Sequence, residues 1–435
     1  MVKIGLKLLL VLEALFGGLF IALTWGLLFV YLVSIGAGVD GISAVVGLSA
    51  LTKLLVHLLF YRYPNLLVSK VRLKFVLQHG LERILFAFIP LTRNYLVIAL
   101  IYAAIAATPT STYMNLTMYG LLSEEEVKDV TAKRTAAFGA SGIMGFVLAM
   151  ILLAFMPPET KFVYIYSLGS MIGLVSTVLV ALMDVSGLEG ARIPGGIEQP
   201  ERLFSTSAYF VALLAGGNLL AMVWVPYVMD RLRAPDYLAA AMNLATTFTS
   251  IVASLFWRGR PFKALRYGVA LDAAAPILAL ATPIPTIHPL LSAYSSFAYT
   301  GANFVGSFLF AGYNRWLGAV RSSIFMIITL CLAQLLVAPV SMLVGGNYLL
   351  MFSIAIGLKL AAFALASTTI PEVAAVPEQA ARAYSFALYN KSVTGYRVSV
   401  ELSRGAALLA LRLMGLSAAF LALYVIYRIL FLMLP

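Results

Sequence analysis

The sequence predicts an all-α protein that crosses a membrane many times, and three observations carry that reading. Of its 435 residues, 62% are hydrophobic and only 11% charged, whereas soluble domains are about 45–50% apolar and about 25% charged. The apolar residues fall in unbroken runs of roughly the twenty residues that one crossing of the hydrocarbon core requires. None of these runs alternates polar with apolar positions, which excludes a transmembrane β-barrel.

In chain order, the runs predict spans at 8–34, 41–60, 75–92, 95–119, 136–156, 162–183, 205–229, 237–257, 262–283, 289–313, 320–343 and 348–370. The first follows Lys3 and Lys7, is too long for a signal peptide and lacks a small-residue cleavage site, so it reads as a span. Numbered from an inner N-terminus, the spans sort the basic residues unevenly. Lys3, Lys7, Arg62, Lys70, Arg72, Lys74, Lys133, Arg134, Arg258, Arg260, Lys263 and Arg266 fall inside, while Arg93, Lys161, Arg231, Arg233 and Arg428 fall outside. Such asymmetry places the N-terminus in the cytoplasm of a cell-membrane protein. It also accounts for the formal charge of +12 without a nucleic-acid partner.

The stretch Asp184–Phe204 is dense in glycine and proline, which marks an irregular connector. It divides twelve spans into a bundle over 1–185, a linker over 186–204 and a second bundle over 205–371. Both bundles start from the same side, as two parallel repeats do. Lys74, Gly80 and Arg83 at the entry of the third span are echoed by Lys263, Gly268 and Asp272 at the ninth. Residues 372–405 mix charged with apolar positions as an interfacial helix does. Residues 406–435 supply a thirteenth, C-terminal span, ending outside, that reads as a brace or as a docking element for another membrane subunit.

Three further segments carry a family likeness. They are Phe16-Gly17-Gly18 through Ser34-Ile35-Gly36-Ala37-Gly38 to Gly47, the charged stretch Ser123-Glu124-Glu125-Glu126 to Arg134 with Gly139 and Gly145, and Trp224-Val225-Pro226-Tyr227. With the six-loop-six layout, residues 10–370 resemble the major facilitator superfamily. That resemblance implies two six-helix bundles related by a pseudo-two-fold axis, with helices 1, 4, 7 and 10 around a central cavity. The superfamily signature between helices 2 and 3 corresponds to Tyr63–Lys74, which keeps the basic residues and lacks the aspartate.

An ionisable residue inside a span costs at least ~2.5–3.5 kcal/mol at its centre, so each asks for a partner or a role. Glu13, Lys53, His57, Glu82 and Arg83 all fall about 5–12 Å from the predicted inner ends at 1.5 Å per residue. They read as one network, either locking three helices together or serving as an inner gate or coupling site. Asp272 and Lys359 share a depth near the midplane and carry opposite charge. The resemblance implies adjacent helices, hence an ion pair; a proton-carrying Asp272 is the alternative.

Uncharged polar residues interrupt the four helices that the resemblance places around the cavity. Thr24 and Trp25, Asn115, Asn218, and Tyr294, Tyr299 and Asn303 are the candidate substrate contacts. Hydroxyls, amides and rings suit a small neutral or amphipathic organic solute. Three histidines on separate segments and the lack of a Walker loop leave no metal site, cofactor site or catalytic constellation to propose. The function expected is secondary or facilitative transport by alternating access, with lipids and a small solute as partners. The competing readings are a non-transporting subunit on the same fold and a lipid flippase.

Overall fold

The computed structural model describes residues 2–189 and 203–392. Among these the secondary structure is helical throughout. The helices are α1 (Val2–Leu23), α2 (Leu28–Ser34), α3 (Val39–Arg62), α4 (Asn65–Val68), α5 (Val71–Phe88), α6 (Tyr95–Ala106) and α7 (Thr110–Leu121). They continue as α8 (Glu124–Phe155), α9 (Lys161–Leu182), α10 (Leu203–Pro226), α11 (Asp236–Arg258), α12 (Leu265–Ala281), α13 (His288–Val344) and α14 (Tyr348–Thr369). Ten helices among the described residues are long and apolar enough to cross a membrane, so the chain is a multi-pass membrane protein. The amphipathic exception is α5, with Arg72, Lys74, Glu82 and Arg83 in 18 residues.

Two predicted spans are each broken in the middle. The first breaks after Leu23, where a 3-10 turn, Trp25–Leu27, separates α1 from α2. The fourth breaks at Ala107–Pro109, because proline offers no N–H to continue α6 into α7. The predicted start of the fifth span at 136 also moves. A capping box, in which the Ser123 hydroxyl accepts from the Glu126 N–H and the Glu126 carboxylate accepts from the Ser123 N–H, begins α8 at Glu124.

The tenth and eleventh spans, predicted as 289–313 and 320–343, both fall within α13. The two arms of α13 nevertheless run in opposite directions. His288 accepts from Trp224 near one face, and a Cβ at Gly345 would lie 3.5 Å from that of Asp40 at the same face. Leu309 and Ile324 both belong to apolar clusters at the opposite, basic end. Of the predicted interfacial segment 372–405, residues 378–392 are helical, while 393–405 and the predicted span 406–435 lie outside the described residues.

The apolar interior closes the molecule at one face and divides at the other. Away from the basic loops, one buried cluster spans the seam, holding Tyr31, Ile42 and Val46 together with Met222, Val223 and Val228. Across it, Ser43 Oγ lies 4.0 Å from Met222 Sδ. Toward the basic face there are two clusters instead. One surrounds Leu10, Phe75, Tyr113 and Met183 and takes in Ile324; the other surrounds Tyr209, Trp257, Leu265 and Val305.

At that face the signature-like loop is tied to its own half. Lys74 Nζ donates to Leu66 O and Ser69 Oγ at 2.7 and 2.8 Å, and Arg72 donates to the Ala181 carbonyl at 2.8 Å. The bases thus occupy carbonyls where the superfamily pattern would have an aspartate.

Helix pairs approach closely where glycines face each other. A Cβ at Gly268 of α12 would sit 2.9 Å from the backbone of Gly301 in α13, which cannot yield as a side chain can. Gly268→Ala is therefore expected to cost about 1–2 kcal/mol of stability through overpacking. A melting temperature in detergent unchanged from the parent would contradict this close approach.

Candidate functional site

Below the apolar seal lies a cavity in two chambers. The first, about 450 Å³, is lined from α1, α3, α5, α6, α7 and α8, with Leu330 and Gln334 of α13. The second, about 480 Å³, lies against α10, α11, α13 and α14. Trp25, Tyr102 and Leu330 line both. The break after α1 shapes this partition: its turn carries Trp25 inward, 53% exposed, and the indole N–H donates to the Tyr102 hydroxyl of α6. The same turn leaves the Gly26 carbonyl free to accept from Asn243 Nδ2 at 2.8 Å, a direct bond between the halves.

The chambers differ chemically. The second is lined by Asn218, Asn243, Thr246, Ser292, Ser295, Ser296 and Tyr299 among apolar residues. Ser292 and Thr246 share a hydrogen bond of 2.6 Å, and Ser296 donates to the Thr246 carbonyl at 2.8 Å. The Asn218 amide nitrogen is buried and has no hydrogen-bond partner among the described residues.

The first chamber holds the charges. Glu13 pairs with Arg134 at 2.9 Å, and Glu82 with Arg83 at 2.8 Å. His79 Nε2 accepts from Arg83 at 3.2 Å and lies 3.5 Å from Glu13. That leaves its Nδ1–H to donate to Thr177 Oγ1 at 2.8 Å. The Arg83 guanidinium also stacks 4.1 Å from the Phe20 ring centroid, a cation–π contact.

Glu13, Glu82 and Arg83 are thus in one network, as their common depth predicts, whereas Lys53 and His57 are not. His57 is fully buried; its Nδ1–H donates to the Lys53 carbonyl at 2.7 Å and its Nε2 accepts from Thr112 at 3.0 Å. Lys53 lines the first chamber, and its ammonium has no hydrogen-bond or ion-pair partner among the described residues. Depth fixes a level in the membrane, but each residue rotates its side chain by about 100° around the helix, so common depth does not ensure contact.

Asp272 and Lys359 meet at 2.5 Å with both side chains 1% exposed. The approach depends on Gly216 of α10, where a Cβ would collide with Lys359 Cγ at 2.8 Å. Lys359 reaches the edge of the second chamber, while Asp272 Oδ2 is buried with no hydrogen-bond partner among the described residues.

Of the predicted solute contacts, Trp25, Asn115, Asn218 and Tyr299 line the chambers. Thr24, Tyr294 and Asn303 do not. The Thr24 hydroxyl, just past the end of α1, is buried and donates back to the Phe20 carbonyl at 2.6 Å, an i−4 bond of the kind threonine makes to a preceding helix turn. Tyr294 points away to donate to the Leu271 carbonyl at 2.9 Å. Asn303 lies one turn beyond Tyr299, nearer the basic-face cluster of the second half, and lines neither chamber. Tyr102, Arg134, Asn243 and Thr246 line the cavity without having been expected from the sequence. For Arg134 a signal exists: the capping box starts the helix ten residues earlier, about 15 Å below it.

No protein-family profile matches the sequence, and no curated protein does. Solved structures do match. The nucleoside transporter NupG superposes with a TM-score of 0.55 at 14% identity, covering 84% of this chain and 98% of that one. An aspartate-to-alanine mutant of NupG superposes with a TM-score of 0.60 at 15% identity, covering 84% and 99%. A bacterial homologue of the iron transporter ferroportin, in an inward-facing state, gives 0.59 at 14% identity, covering 83% and 97%. With the paired helices, the seam between halves and the central cavity already described, these superpositions show that the chain has the major facilitator fold.

Proposed function

We propose that this chain is a transporter carrying a small organic solute across the cell membrane by alternating access, with its N-terminus and basic face in the cytoplasm. The observation that carries the reading is the divided polar cavity on the seam, sealed on one face by a cluster drawn from both halves. Buried amides and hydroxyls need partners, and at membrane depth only protein, water or solute can supply them. A dry scaffold would fill that seam with apolar side chains. Structural neighbours named as transporters support the same reading.

The test uses single cysteines at Asn115 and Tyr299 in a Cys331→Ser background. In inside-out vesicles, whose outer surface is the cytoplasmic face, impermeant thiol reagents are expected to label both, and solute to slow that labelling; in right-side-out vesicles, whose outer surface is the sealed face, they are expected to label neither. Labelling from neither side would remove the aqueous path and with it the transport reading.

A further inference from the structure

We propose that the first chamber is an anion site built on Lys53, so that the solute carries a carboxylate or phosphate group as it crosses. The inference deepens the transport reading and rests on it. Two acids and three bases line this chamber: Glu13 and Glu82 against Lys53, Arg83 and Arg134. Glu13 is taken by Arg134 and Glu82 by Arg83, which leaves one ammonium over. Neither carboxylate is bonded to it.

Lys53 cannot escape by reaching for the surface. It stands nine residues before the end of α3 at Arg62, about 13 Å along the axis, which is farther than a lysine side chain extends. Its neighbours on the helix offer nothing either, because the His57 imidazole is committed to the Lys53 carbonyl and to Thr112. A charge kept at this depth without a partner is costly, and such residues mark ion or substrate paths. A bound anionic oxygen would supply the missing counter-charge through a charge-assisted hydrogen bond. Trp25 and Tyr102 would flank it, and the hydroxyls and amides of the second chamber lie beyond them for an uncharged part of the solute. The hydroxyl lining alone suits a neutral solute; Lys53 changes that preference.

The experiment measures binding by thermal shift of the purified, full-length protein with matched probes. The pairs are benzoate against benzamide, gluconate against glucose, and a nucleoside monophosphate against its nucleoside. The expected result is stabilisation by the anionic member of at least one pair, with its neutral partner at least about tenfold weaker. Lys53→Met should abolish that difference, and Lys53→Arg should keep it. Lys53→Met strands no acid, so the unliganded protein should melt at the parent temperature or above, separating lost binding from lost folding.

Equal binding of both members, or an anion response intact in Lys53→Met, overturns the anion site while leaving the transporter standing. No stabilisation by any probe overturns the anion site, and the cysteine labelling then decides the transport reading by itself. Phosphate analysis of the purified protein separates the two sources of anion. Stoichiometric phospholipid that Lys53→Met loses supports the site and assigns it to a lipid headgroup; its absence alongside probe binding supports a soluble solute.

Discussion

Asp272→Asn is expected to destabilise the protein by about 3–5 kcal/mol, because removing one partner of a buried ion pair leaves the other charge uncompensated. The Asp272–Lys359 pair is almost fully enclosed, which puts this loss above that of any other ion pair in the described residues. Lys359→Met should cost a similar amount. The double variant Asp272→Asn with Lys359→Met should recover most of the loss, since no charge then remains to be stranded. The readout is a double-mutant cycle on chemical unfolding in detergent. If Asp272→Asn leaves stability intact and abolishes transport, Asp272 is a proton carrier and the structural assignment of the pair is wrong.

Arg134→Met is expected to have the second-largest effect. Glu13 is 5% exposed and takes its one close cation from Arg134 at 2.9 Å. Losing that cation leaves His79, at 3.5 Å, as the nearest titratable partner. The expected cost is about 2–4 kcal/mol, below that of a fully enclosed pair, because the Arg134 side chain keeps 17% of its exposure and is partly screened. Arg134 also donates to the Leu10 carbonyl at 2.9 Å, tying α8 to α1. Adding Glu13→Gln should therefore restore part of the stability but not all of it. Full recovery would show that the hydrogen bond to Leu10 contributes nothing.

What is legible in the sequence follows from what each signal encodes. Hydropathy encodes depth, so most spans are placed to within a few residues. The depth of Asp272 and Lys359, with the resemblance supplying adjacency, is enough to predict their contact. Hydropathy does not encode rotation about a helix axis, which is why depth alone groups Lys53 and His57 with a network they do not touch. Nor does it detect a helix that starts in polar residues. Arg134 sits in such a start, and the capping box of Ser123 and Glu126 is a local hydrogen-bond pattern, not a hydropathy feature. Thr24 and Tyr294 depart from expectation for a third reason. A hydroxyl in a span can be satisfied by a carbonyl of its own or the next helix, so its presence alone does not show that it faces a cavity.

The seal across the seam is apolar on both sides, with Tyr31, Ile42 and Val46 in one cluster with Met222, Val223 and Val228. Parting it in water would expose that surface, and exposure of apolar surface raises the heat capacity. A step limited by breaking the seal therefore has an activation enthalpy that grows with temperature, and its Arrhenius plot bends. Cooling weakens the apolar attraction that holds the face shut. The balance between the sealed arrangement and one open at that face is thus set partly by temperature, before any solute enters.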